Sequence, residues 1–244
     1  FRSPTFHELN VAYGNRFWGY YIQSSPDLEP ETSVNYEVGL KGDYPKFDFS
    51  LVGFVSNYED LIGLAPIGTD PSCVGLIGRP CTIEAYSNTD EAEISGLEWK
   101  SDYNFNGNED GFSLLSSLAY TYGDDTSSSD SKPLTSIEPF KAILGLKYTA
   151  LENKWSAKLT NTYVGDARTT TALGNNPSES YSVLDFMGDL RVNDRLSLDL
   201  GIYNLNDTRY FNYSTVKSQN ANDVDINRYS EPGRNIKGGF KFVF

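Results

Sequence analysis

Two tyrosines stand side by side at Tyr20 and Tyr21, inside the run VAYGNRFWGYYIQS, with Arg16, Phe17 and Trp18 just ahead of them. A phenolate oxygen ligates ferric iron, aromatic rings build apolar walls, and a guanidinium grips a carboxylate through two parallel hydrogen bonds. Together these types suit a flat apolar ligand with a metal at its centre and anionic groups at its edge. The one histidine, His7, lies upstream in FRSPTFHELN and is the other candidate metal ligand. Plainer roles are open to each: His7 as a rim residue bonded to a neighbouring strand, the tyrosines as the aromatics that β-barrels place at both membrane edges.

Enzyme chemistry is poorly provided for. Nucleophilic or general-base catalysis needs a positioned base, most often His, beside a nucleophile and an orienting carboxylate. One histidine with no nucleophile motif around it does not meet that need, so the chain is expected not to be an enzyme. Asp124 and Asp125, and the carboxylates of NANDVDIN, lack the spacing of a calcium loop and read as solvated loop. Cys73 and Cys81, in PSCVGLIGRPC, lack the spacing of a metal site and read as a loop-closing disulfide, hence an oxidising compartment.

The elements that must position these residues follow a two-residue period. In SVNYEVGLK the apolar Val34, Tyr36, Val38 and Leu40 alternate with polar or small residues, and the same alternation recurs in GFSLLSSLAYTY, FKAILGLKY, RLSLDLGIYNL and NIKGGFKFVF. That is the pattern of strands with unlike faces. Strands are expected near 33–41, 46–63, 83–103, 111–122, 137–150, 154–165, 181–192, 195–206 and 229–244. Phe1–Thr5, read as the end of a further strand, brings the expectation to about ten, and helices longer than a turn should be rare. Short connections (KGDYPK, NFNGNEDG, ALENK, VNDR) alternate with long ones at 64–82, 123–136, 166–180 and 207–228. Segregation of loop length by parity is the mark of an outer-membrane barrel.

Composition agrees. No stretch approaches the roughly 20 apolar residues of a transmembrane helix, yet aromatic residues make up 14% of the chain. The formal charge of −13 speaks against a nucleic-acid surface, which needs a basic stripe.

Several phrases carry a family resemblance. FRSPTFHEL resembles the FRAP box, and SPDLEPETSVNYEVGLK the NPNL box and its following strand, of the TonB-dependent outer-membrane receptors. ISGLEW resembles a common barrel strand of that family. The ending YNLNDTRYFNYSTV, then RYSEPGRNIKGGFKFVF, is similar to that of its haem and haemoglobin receptors. The resemblance implies an all-β, transmembrane antiparallel barrel, with residues 1–244 as about ten C-terminal strands of a 22-stranded wall. It implies a bacterial outer-membrane location, haem as transported ligand and not as enzymatic cofactor, and a haemoprotein (haemoglobin or haemophore) as source. It also implies coupling to the TonB–ExbB–ExbD complex through a plug domain, and handling by the outer-membrane assembly machinery. A siderophore or another iron complex is the alternative cargo. The family usually places a histidine in the loop between the two boxes. Here that loop has none, so Tyr21 or Tyr20 is the expected donor to haem iron, His7 the second choice, with Arg16 for a propionate and Phe17 and Trp18 as walls.

Overall fold

The computed structural model describes residues 1–15, 17, 19–74, 80–107, 110–168, 179–217, 219, 222 and 224–244. In chain order its elements are α1 (Phe6–Asn10), β1 (Tyr13–Asn15), β2 (Tyr20–Gln23), β3 (Thr32–Tyr44), β4 (Phe47–Val74), β5 (Pro80–Asn104) and β6 (Gly111–Asp125). Then come β7 (Lys132–Pro133), β8 (Lys141–Thr149), β9 (Trp155–Val164), β10 (Tyr181–Arg191), β11 (Leu196–Tyr203), α2 (Tyr213–Val216) and β12 (Asn235–Phe242). The nine long strands pair as sequence neighbours, β3 with β4, β4 with β5, β5 with β6, then β6 with β8 and onward to β12. The pairs β6–β8, β8–β9, β9–β10, β10–β11 and β11–β12 are all antiparallel. The protein is all-β, as the alternation predicts.

Three expectations are corrected. The long loop expected at 64–82 is not found among its described residues: 64–74 continue β4 and 80–82 begin β5, because the two arms pair with one another, and 75–79 lie outside the described residues. Gly and Pro in LAPIGTDPSCVG read as loop residues, but ladder hydrogen bonds to a neighbouring arm outweigh so weak a preference. Phe1–Thr5 is not a strand end; it contributes one isolated bridge, Arg2 to Glu31, before α1. Strand β12 starts at Asn235 and not near 229, because residues 226–229 form a 3-10 turn.

The chain divides into two compact units, one of residues 1–36, 55–94 and 123–132, the other of residues 37–54, 95–122 and 133–244. In the second unit, side chains paired across strands share a face. One face carries Phe112 and Tyr148, Leu114 and Leu146, then Leu146 and Leu159, Phe186 and Leu159, Leu190 and Trp155, Leu198 and Phe240. This face is exposed along its length: Leu144 is 55% accessible, Phe240 76% and Ile236 68%. An apolar band of that extent belongs against hydrocarbon, not water. Polar atoms on it satisfy one another, as burial in lipid requires. Trp99 Nε1 donates to Ser116 Oγ at 2.8 Å, Ser101 Oγ lies 2.8 Å from the same oxygen, and Asn161 Nδ2 donates to Ser182 Oγ at 2.9 Å.

The opposite face is polar, with Lys147 beside Lys158 and Asp189 beside Asp199. Short turns close one end by local chemistry. Asn104 Oδ1 accepts from the N–H groups of Asn106 and Gly107, both at 3.0 Å, and Asn193 Oδ1 accepts from Arg195 and Leu196 at 2.9 and 3.0 Å. Such side-chain turns are why Asn punctuates these connections.

Candidate functional site

Residues 2 and 31 are joined in the first unit by a reciprocal backbone bridge, Arg2 N–H to Glu31 O and Glu31 N–H to Arg2 O, each 2.9 Å. The side chains repeat the link. Arg2 Nε and Nη2 donate to the two carboxylate oxygens of Glu31, both at 2.6 Å, while Nη1 donates to both oxygens of Glu8 at 3.1 Å. Glu8 is held in turn by a capping box at the start of α1: Thr5 N–H donates to Glu8 Oε2 at 2.7 Å and Glu8 N–H to Thr5 Oγ1 at 3.3 Å. Glu31 also accepts the N–H of Ile62 in β4 at 3.0 Å. Both carboxylates are largely covered, 14% and 15% exposed.

These contacts move the titrations. The Arg2 guanidinium, and after it the Thr5 N–H, bring Glu8 down to about 2, and Arg2 with the Ile62 N–H holds Glu31 below the usual carboxylate range. Arg2 itself is raised, by its hydrogen bonds to Glu31 and Glu8.

A second stitch lies beside the first. Asn88 of β5 accepts the N–H of Glu29 and donates to its carbonyl, both at 2.8 Å, and donates to the carbonyl of Asp60 at 2.7 Å. Ser25 N–H reaches Leu9 O at 3.2 Å. The segment from 2 to 31 therefore leaves and returns at one fixed place, and the FRSP and SPDL phrases are the two ends of that closure.

Between these ends the aromatic segment is a hairpin, not an irregular loop. Strands β1 and β2 are antiparallel, with Tyr13 opposite Ile22, Gly14 opposite Tyr21 and Asn15 opposite Tyr20. Strand β2 then adds to β5 in parallel register along Tyr20–Thr82, Tyr21–Ile83, Ile22–Glu84 and Gln23–Ala85. Gly14 has a steric role: a Cβ there would lie 3.1 Å from Cδ2 of Tyr21, so the glycine leaves room for that ring.

Neighbours on a strand point to opposite faces, so Tyr20 and Tyr21 cannot line one wall. Tyr20 is half-buried, its ring 6.2 Å from that of Tyr13. Tyr21 is 42% exposed and Phe17 59%. Phe17 N–H donates to Asn15 Oδ1 at 3.1 Å. His7, on α1, is exposed and meets Tyr86 edge-on at 6.2 Å. Tyr86 is four residues along β5 from Thr82, the partner of Tyr20, and four residues of strand span about 13 Å. Tyr13 and Tyr20 thus share one face of the hairpin and Tyr21 takes the other, while His7 is grouped with Tyr86. Arg16 and Trp18 lie outside the described residues. Cys73 and Cys81 are bonded, with Cα atoms 5.3 Å apart, and the bridge ties β4 to β5 instead of closing a free loop.

Arg2, Glu8, Glu31 and Asn88 were not among the candidates read from the sequence. The Thr5-to-Glu8 spacing is a readable capping box, but the pairing of Arg2 with Glu31 spans 29 positions and has no local signal.

The second unit holds a comparable stitch before β12. Asn204 is 2% exposed with a left-handed φ of 54°. Its side chain donates to the carbonyls of Thr208 and Pro232 at 2.8 and 3.2 Å and accepts from Thr208 N–H at 2.9 Å. Asp207 accepts the N–H of Arg234 at 2.8 Å, and Arg234 Nε donates to Leu205 O at 3.0 Å. Tyr213, 2% exposed, donates from its hydroxyl to Thr135 O at 2.9 Å. The phrases YNLNDTR and PGRN are thereby one hydrogen-bonded unit.

The family described as TonB dependent receptor-like, beta-barrel matches residues 1–205. A probable haemoglobin and haemoglobin-haptoglobin-binding protein 4 of Haemophilus influenzae is 26% identical, over 100% of this chain and 27% of its own length. Lactoferrin-binding protein A of Neisseria meningitidis is 27% identical, over 100% of this chain and 28% of its own. Among solved structures, the ferric enterobactin receptor of Pseudomonas aeruginosa matches with a TM-score of 0.70 at 22% identity, covering 98% of this chain and 36% of that one. The chain thus spans roughly a third or less of the length of these relatives.

Proposed function

The chain belongs to the TonB-dependent receptor β-barrel family, a family of outer-membrane receptors and not of enzymes, and on that premise we propose that the receptor takes up haem by TonB-coupled transport. The cargo comes as free haem or on a haem-carrying protein, and coupling runs through a plug domain to the TonB–ExbB–ExbD complex. The observation that carries this reading is the aromatic hairpin held between two clamped ends, with Tyr21 standing 42% exposed on it.

The hairpin supplies what a haem needs. Its tyrosines offer a phenolate for ferric iron, as tyrosine does in known haem ligation, and Phe17, Trp18 and Arg16 of the same segment provide apolar walls and a partner for a propionate. The pleat separates the roles of the adjacent pair. Tyr21 packs over Gly14 with its ring half open and is the iron donor, whereas Tyr20 packs toward Tyr13 as support. His7, grouped with Tyr86, stands apart from this pair. The haemoglobin-binding relative, aligned along the whole chain, favours haem over a siderophore.

The test is a titration of the full-length receptor with ferric haem, read in the Soret and charge-transfer bands. Tyr21→Phe keeps the ring and removes the oxygen, so it should abolish the ferric tyrosinate band and weaken haem binding about tenfold or more, while Tyr20→Phe changes it little. Unaltered spectra in Tyr21→Phe, with loss of binding in His7→Ala, would transfer the ligand role to His7. Intact haem binding in all three variants would remove the hairpin from haem ligation, and a receptor that binds ferric enterobactin but not haem would be a siderophore receptor.

A further inference from the structure

Charge on the polar face of the second unit is sorted by height. The registers of β8 to β12 set Lys147 opposite Lys158, Lys158 opposite Met187, Met187 opposite Gly201 and Gly201 opposite Lys237, so these five stand side by side in one row. Two residues along each strand, nearer the short turns, the next row reads Thr149, Ser156, Asp189, Asp199 and Gly239. Two residues of strand separate the rows by about 7 Å. A row of cations thus stands over a row of anions, and members of both line a cavity of about 460 Å³, within the size range of small-molecule sites. In a barrel whose apolar face meets hydrocarbon, this cavity opens on the lumen.

Like charges set directly opposite each other across a strand pair repel. Lys147 and Lys158 are such a pair, both half-buried, and among the described residues neither forms an ion pair, whereas Asp189 accepts the hydroxyl of Ser156. Two lysines kept together in this way call for an anion across them. Beside them the wall offers a flat floor. Tyr203 lies over Gly201, where a Cβ would come within 2.6 Å of its Cε2, so the glycine lets the ring lie close to the backbone. Lys237 Nζ sits 5.1 Å from the centroid of that ring. Met187, the only methionine of the chain, is on the strand between Lys158 and Gly201.

These groups match one kind of guest. A thioether is an axial donor to haem iron, an aromatic ring supports a flat apolar macrocycle, and two ammonium groups meet two carboxylates. Neighbouring strands lie about 5 Å apart, which sets Lys158 about 5 Å and Lys147 about 10 Å to the same side of Met187. Resting on the haem reading above, we propose that this wall is a transit site, where haem lies against Met187 and Tyr203 with its propionates on Lys147 and Lys158. The acidic row beneath repels the propionates and halts the ring at this height. The site is chemically unlike the hairpin, with a thioether and ammonium groups in place of a phenolate and a guanidinium.

The test is uptake by cells that carry the full-length receptor, with ferric haem as the sole iron source. Uptake rate is followed against haem concentration, together with receptor level and exclusion of a large antibiotic. A transit site governs the maximal rate, a capture site the half-saturating concentration. Lys147→Gln combined with Lys158→Gln should lower the maximal rate about tenfold and leave the half-saturating concentration within about twofold. Lys147→Arg with Lys158→Arg keeps both charges and should hold the rate within about threefold of the wild type. Met187→Leu keeps the volume and removes the sulfur, and should lower the maximal rate about threefold. Tyr21→Phe should instead raise the half-saturating concentration. An unchanged maximal rate in either the glutamine pair or Met187→Leu overturns the inference. So does a glutamine pair that admits the antibiotic, since the lysines would then hold another part of the receptor in place. Both results leave the haem reading standing; a wild-type receptor that takes up no haem removes both.

Discussion

Arg2 is the residue from which the aromatic hairpin hangs. Its guanidinium engages two carboxylates that are mostly shielded, and those carboxylates are themselves fixed to α1 and β4. Removing it leaves two neighbouring negative charges without their cation. Arg2→Ala should therefore loosen residues 3–30, seen as protease nicking there at least several-fold faster, with the barrel's resistance to SDS unchanged. Arg2→Lys keeps the charge but loses the fork, and should fall between. The pH response follows from the same contacts. Glu8 and Glu31 titrate lower in the folded protein than in the unfolded chain, so the stability they contribute is complete above their ordinary range and is lost as pH falls through the folded values. For Glu8 that window runs from about 4.5 down to about 2. Hydrogen exchange of the segment, followed from pH 6 to pH 2.5, should accelerate across it beyond the normal pH dependence of exchange; a flat corrected profile would contradict the assignment.

The β4–β5 pair is the element whose form differs most from expectation. The strands have 28 and 25 residues, where a bilayer crossing uses roughly 9–11, so each continues far past what a crossing requires. The Cys73–Cys81 bridge spans eight positions along the chain, and so short a ring contributes on the order of 2 kcal/mol. Serine at both positions should leave barrel assembly intact while proteolysis between 64 and 82 quickens several-fold; unchanged cleavage would show that strand pairing alone holds the arm. At the other end of the chain, Asn204 supplies a buried amide and a left-handed backbone at once. Asn204→Ala should cost about 1–3 kcal/mol in urea unfolding from lipid, since it leaves the part-buried carbonyls of Thr208 and Pro232 without their donor and strains φ. The strand centres could be read from alternation because period two needs no tertiary information. The arm could not, because pairing with a neighbour decided it and composition pointed the other way.

At the scale of the chain, burial is confined to few apolar side chains among the described residues. Among the described residues only six hydrophobic side chains are buried, Cys81, Ala92, Val164, Val183, Tyr213 and Val216, while the apolar face of the second unit stands open. Stability comes from ladder hydrogen bonds and from the lipid that covers this face. Leu159, opposite both Leu146 and Phe186, lies within it, and Lys158 lies on the polar face. Leu159→Arg should cost about 2–4 kcal/mol near the membrane midplane, whereas Lys158→Thr should cost little. Urea unfolding of the receptor in lipid vesicles measures both, and equal costs would reverse the assignment of the two faces.

The sequence by itself determined the strand centres and their facing, because each is written within a few neighbouring residues. It also marked the aromatic segment between FRSP and SPDL and the pairing of the only two cysteines. Tertiary structure alone decided that the segment is a hairpin laid parallel on β5, that Tyr20 and Tyr21 face apart beside Tyr13, and that His7 meets Tyr86. It alone revealed Arg2, Glu8, Glu31 and Asn88 as the clamp. Those outcomes depend on groups distant in sequence, such as Arg2 and Glu31, or Glu29 and Asn88, meeting at hydrogen-bond distance, and no local pattern of residues encodes such a meeting.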